Sequence, residues 1–161
     1  MGVEKKSLII TEEERKLVAY HEAGHTIVGL LSPEHDPVYK VTIIPRTMAL
    51  GVTIFLPKND KYLHNKTQLE SQITSLFGGR VAEELIYGKE KITTGAANDI
   101  KQATDISRKM VVKWGLSEKI GPINLFENDE EVFIGHQITK HKNISEETVK
   151  IIDKEIKKII T

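Results

Sequence analysis

Five consecutive residues, His21-Glu22-Ala23-Gly24-His25, constrain this chain more than any other stretch. On a helix, two imidazoles four residues apart lie on one face, one turn apart, where they can share a metal ion. Glu22 is rotated by about 100° around the axis. Its carboxylate is poorly placed to join the same two nitrogens but can reach a water on such a metal, which is the geometry of a hydrolytic zinc site. From Leu17 to Ser32, Glu22 is the one residue bearing a full charge, and a carboxylate buried there without a partner would be costly. The plainer alternative is a core helix whose histidines are satisfied by hydrogen bonds alone. It leaves the lone acid in an apolar setting unexplained.

Bulk properties narrow the surroundings of such a site. With 161 residues the chain suits one domain, or one domain with a small satellite, and is long enough to bury its own core. Lysine plus arginine balance aspartate plus glutamate at 23 each, which gives no electrostatic reason to expect nucleic acid or an anionic membrane surface as partner. There are no cysteines, so disulfides and thiolate ligands are excluded and any metal must be held by His, Asp or Glu. No apolar run approaches the roughly 20 residues of a membrane span. The start, MGVEKKSLII, is charged too early for a signal peptide, and a soluble chain is expected.

In chain order, Thr11 and Glu14 form a capping box that opens a helix from Glu12 to about Leu31, stopped by Pro33. Leu17, His21, His25 and Val28 share one stripe of it, facing the core. Val38 to Ile44 and Gly51 to Leu56 read as an antiparallel hairpin joined by Pro45 to Leu50. A free edge there, Gly51-Val52-Thr53-Ile54-Phe55, could take an extended peptide as an added strand, or the hairpin could simply cover the site. Thr67 and Glu70 predict a second capping box and a helix to about Tyr87, closed by Gly88. Within it, Gly78-Gly79 either bends the helix or admits another backbone.

Beyond that pair, Glu83 and Glu84 are candidates for a third ligand or for groups supporting the ligands, although Glu84 could equally pair with Arg80 on the surface. A third helix is expected from about Asn98 to Trp114 with Gly115 as its cap, and Asp99 on its inward stripe with Ala103, Ile106 and Met110. Alone, an acid in that first turn is explained by the helix dipole. Ser117 to Ile138 looks irregular, with an acidic patch at Glu127–Glu131 and a short apolar piece at Val132–Ile134. Ser145 opens a last helix with Ile144, Val149, Ile152, Ile156 and Ile159 on one side. Spacing does not choose the third ligand among Asp99, Glu83, Glu84 and the remaining histidines.

Several long segments in this order, YHEAGH (20–25), GVTIFLP (51–57), FGGRVAEELIYG (77–88), TTGAANDI (93–100), ATDISRKMVVKWGLSEKIGP (103–122) and SEETVKIIDKEI (145–156), resemble the proteolytic domain of the FtsH family of ATP-dependent, membrane-anchored zinc proteases. The resemblance implies a mainly α zinc-protease domain spanning 1–161, with a small β-hairpin beside the active-site helix. It implies that His21, His25 and Asp99 hold one Zn2+ per subunit and that Glu22 is the catalytic carboxylate, leaving Glu83 or Glu84 in a supporting role. The longer metzincin signature is absent, since Val28 and Leu31 stand at its Gly and third His positions.

A P-loop is missing too: Gly88-Lys89 is followed by Glu90, and Glu83 stands where the first glycine belongs. The family's ATPase and transmembrane parts are therefore expected outside this sequence, which reads as an excised domain with ATP bound only by the missing module. By resemblance the whole protein forms hexamers in a bacterial inner membrane with this domain on the cytoplasmic side. It would degrade membrane proteins and unfolded or short-lived soluble proteins. The rival expectation is a zinc-stabilised oligomerisation module that builds the ring but does not cleave without the ATPase.

Overall fold

The computed structural model describes residues 10–45, 50–125 and 144–161. The centre of the expected hairpin loop, the acidic patch at 127–131 and the apolar piece at 132–134 lie outside these residues. The chain divides into two compact units, Met1–Ala103 and Thr104–Thr161.

The first unit is organised by two long helices. Helix α1, Glu12–Leu31, has the expected limits: Thr11 Oγ1 accepts from the Glu14 backbone N–H, and the Glu14 carboxylate reaches back to the Thr11 N–H. At its far end Ser32 returns both its N–H and its hydroxyl to the Val28 carbonyl before Pro33. Strands β1, Val38–Thr42, and β2, Val52–Phe55, pair antiparallel with Val41 opposite Thr53 and a bulge between Val38 and Lys40. Both are shorter than their apolar runs. As a two-stranded sheet, they leave one unpaired edge on each strand among the described residues.

Helix α2, Lys66–Tyr87, is capped two residues earlier than expected. Asn65, not Thr67, is the cap: its side chain accepts from the Gln68 N–H at 2.9 Å and Gln68 answers to the Asn65 N–H at 3.1 Å. Glutamine supplies the same acceptor as glutamate in this motif, while Glu70 turns to Lys66 at 3.9 Å. Gly78-Gly79 does not break α2. A Cβ on Gly24 would stand 2.2 Å from the Gly78 carbonyl oxygen, and one on Gly78 would stand 2.6 Å from that of Gly24. The two helices therefore cross in backbone contact, and only glycine at both positions permits it. Val18, Leu69, Ile73 and Ala96 are buried in this unit.

A 3-10 turn at Thr94–Ala96 leads into α3, Ala97–Val112, which ends two residues before the expected Trp114. Gly115 nonetheless takes the left-handed conformation, φ 64°, that such endings favour. In the second unit α4, Glu146–Ile160, is capped by Ser145 as expected. Val111, Val112, Ile152 and Ile156 form its core, with Ile120, Leu125 and Ile159 packed around them. The result is the mainly helical architecture with a small hairpin that the segments implied. No described helix is long and apolar enough to cross a membrane.

Candidate metal centre

Helix α1 places His21 and His25 on its buried face, each 8 % exposed. Their Nε2 atoms lie 3.0 Å apart, and Asp99 Oδ2, from the first turn of α3, lies 3.4 Å from one and 3.5 Å from the other. Among the described residues these three form the one cluster whose donor atoms could all reach a single ion. The edges of a tetrahedron about a zinc with bonds of about 2.0–2.1 Å are about 3.3–3.4 Å long. The observed triangle is already close to one face of that tetrahedron, so the donor set fits zinc in size and in chemistry.

The other imidazole nitrogens explain why the inner ones are free to bind. His25 Nδ1 lies 2.7 Å from the Ser75 carbonyl oxygen, which can only accept, so this nitrogen carries the proton. His21 Nδ1 lies 2.7 Å from Oε1 of Glu83, a carboxylate with no exposed surface at all. With both Nδ1 atoms protonated, two Nε2 lone pairs and a carboxylate oxygen converge at about 3 Å, an arrangement that repels itself until a cation or proton enters.

The titration behaviour has the same origin. Burial opposes charge on His21, but hydrogen bonds to Asp99 and Glu83 and the nearby Glu22 charge outweigh it, raising its pKa above 6.5. Burial likewise opposes charge on Asp99, yet hydrogen bonds from His21 and His25 bring its carboxyl down to about 2.

Of the two glutamates singled out by the sequence, only Glu83 turns inward. It also accepts the Thr93 N–H at 2.7 Å, joining His21 to the turn that launches α3 and Asp99. Glu84 pairs instead with Lys89 at 3.7 Å, not with Arg80. Gly79 lies against the imidazole of His21, where a Cβ would come within 2.4 Å of Nε2. Glu22 is buried at 7 % exposure, and the solvent that would otherwise satisfy it is replaced by Thr53 of β2, which donates to Oε2 at 2.6 Å.

Sequence reasoning missed Ser75 and Thr93, whose contributions come from the backbone, and the hydroxyl of Thr53. The small-residue stripe Ser71, Ser75, Gly78 along α2 is the signal that could have marked Ser75, because it shows where another backbone comes close.

A buried helix presenting two imidazole nitrogens, an acid between them and a carboxylate from a third helix together make a donor set of the kind a metallopeptidase centre needs. The chain belongs to peptidase family M41, whose model matches residues 8–161. It is 54 % identical over 160 residues to the ATP-dependent zinc metalloprotease FtsH of Photobacterium profundum, covering 99 % of this chain and 23 % of that protein. It is 56 % identical to that of Buchnera aphidicola subsp. Baizongia pistaciae and 55 % to that of Haemophilus influenzae, again over 99 % of this chain and 26 % and 25 % of theirs. The chain thus spans about a quarter of the length of the curated relatives it matches.

Proposed function

We propose that this chain is the zinc endopeptidase part of an ATP-dependent protease. The observation that carries the reading is the convergence of His21 Nε2, His25 Nε2 and Asp99 Oδ2 into a triangle of tetrahedral size. These three residues hold the zinc, which when bound supplies Lewis acidity toward water and the scissile carbonyl. Glu22 takes the proton from the attacking water and returns it to the leaving amine. Glu83 and the Ser75 carbonyl keep both imidazoles in the tautomer that presents Nε2 inward. The unpaired edge of β2, with Gly51 leading into Val52–Phe55, accepts the substrate as an extended strand. The two-stranded sheet and the contact between Thr53 and Glu22 support this placement.

The family match along 8–161 supports treating the stretch as one peptidase domain. Unfolding of substrates by ATP, assembly into hexamers and attachment to the cytoplasmic side of a bacterial inner membrane belong, in this reading, to the whole protein. They rest on the likeness to the FtsH proteases.

The test is cleavage of a dye-labelled unfolded protein such as casein by the zinc-loaded chain. Glu22→Gln should keep one zinc per chain, measured by atomic emission, and lose about two to four orders of magnitude in rate. Undiminished cleavage by that variant would remove Glu22 from the mechanism.

A further inference from the structure

Glu22 is met by the hairpin on two sides. Thr53 donates its hydroxyl to Glu22 Oε2 at 2.6 Å, and the same hydroxyl lies 3.2 Å from the Glu22 carbonyl oxygen. Its single proton goes to the carboxylate, the shorter and charged contact. Two residues earlier, Gly51 lies against the other half of the group. A Cβ there would stand 2.7 Å from Oε1 and 2.8 Å from Cγ of Glu22. Residues two apart in extended chain face the same side, so Gly51 and Thr53 form one cradle, the first making room for one oxygen and the second binding the other.

A glutamate side chain with several rotatable bonds and no packing partner at its tip occupies several rotamers. Here the carboxylate is buried, and a charge-assisted bond to a hydroxyl on a hydrogen-bonded strand selects one of them.

We propose that Thr53, with Gly51 making the space, is a positioning residue for the Glu22 carboxylate, so that the strand offered to substrate also sets where the proton acceptor stands. The inference rests on the reading of Glu22 as that acceptor. It adds that binding and proton transfer are linked through one strand: a peptide pairing with β2 bears on the same backbone that carries the Thr53 hydroxyl. A misplaced base loses part of its contribution without losing substrate affinity.

The experiment uses Thr53→Val, which keeps the shape and strand propensity of the residue but not the donor, and Thr53→Ser, which restores the donor. In casein cleavage by the zinc-loaded chain, Thr53→Val should lower kcat at least about tenfold, short of the about 10²–10⁴ expected from losing the base itself, with KM and zinc content unchanged. Thr53→Ser should recover most of the rate. A kcat for Thr53→Val within twofold of the original chain, or a serine variant as slow as the valine one, would overturn the proposal.

A second measurement does not depend on activity. The drop in urea midpoint caused by Thr53→Val should shrink in a Glu22→Ala background, because the bond to the carboxylate is already gone and only the longer contact with the carbonyl of residue 22 is left to lose. An equal drop in both backgrounds would show that Thr53 acts elsewhere and would likewise overturn it. If Glu22→Gln cleaves as fast as the original chain, the acceptor role of Glu22 fails, while the urea comparison still decides whether Thr53 holds its carboxylate.

Discussion

Replacing Glu83 by glutamine should disable the metal centre by moving one proton, with almost no change in shape. The buried carboxylate receives two donors at 2.7 Å, the His21 Nδ1–H and the Thr93 backbone N–H, one on each oxygen. Glutamine offers one acceptor and one donor in the same space. The Thr93 N–H cannot become an acceptor, whereas an imidazole can exchange tautomers. The only orientation that leaves no donor facing a donor turns the oxygen of the new amide to Thr93 and its NH2 to His21 Nδ1. His21 then carries its proton on Nε2, pointing at Asp99 and His25, where the metal lone pair is needed.

Reverting to the binding tautomer would put two donors face to face in a site without exposed surface, at a cost of about 1–3 kcal/mol. That corresponds to a loss of about 10–100-fold in zinc affinity, the range typical of groups that orient a metal-bound histidine. Competition with a fluorescent zinc chelator measures the affinity, and 15N-detected NMR of the metal-free variant reads the tautomer directly. Zinc affinity within twofold of the original chain, with His21 still protonated at Nδ1, would refute the argument that Glu83 sets the tautomer.

Two further outcomes follow from the same geometry. Gly24→Ala gains about 1 kcal/mol of helix propensity in isolation, yet its Cβ would stand 2.2 Å from the Gly78 carbonyl oxygen. Separating α1 from α2 by about 1 Å to relieve this clash should cost a net of about 1–3 kcal/mol in urea unfolding and should loosen His25 from Ser75; equal or greater stability would mean the helices do not cross in backbone contact. The second concerns pH. Because the pKa of His21 is raised, its contribution to the metal-free fold is fully present below about pH 6.5 and is lost as pH rises through the folded value. Asp99, lowered to about 2, stabilises above about pH 3.9 and loses that contribution only as pH falls toward 2. Zinc must displace the His21 proton, so the gain in Tm on adding zinc should shrink as pH falls from 8 to 6. A gain independent of pH across that range would contradict a proton on the ligand.

What the linear order of residues determined is what forms within a turn or two of helix. The limits of α1, its capping box, the shared face of His21 and His25 and the cap at Ser145 all depend on residues no more than four apart. Even there, one cap is ambiguous in the sequence, because Asn65 with Gln68 and Thr67 with Glu70 offer the same motif two residues apart, and the start of the helix decides for Asn65. The family resemblance points to Asp99 where spacing alone leaves Asp99, Glu83, Glu84 and the remaining histidines open.

Only the tertiary structure decided what each acid does, since that depends on which side of an imidazole it meets. Asp99 meets Nε2 and Glu83 meets Nδ1, while Glu84, one residue on, is rotated out to Lys89. The glycines at 24 and 78 have the same cause: a Cβ on either would run into the backbone of the other, brought within contact by the packing of two helices distant in sequence. Local geometry repeats every few residues and can be read from spacing. Which backbone carbonyl, hydroxyl or carboxylate arrives from elsewhere is settled by the packed chain as a whole.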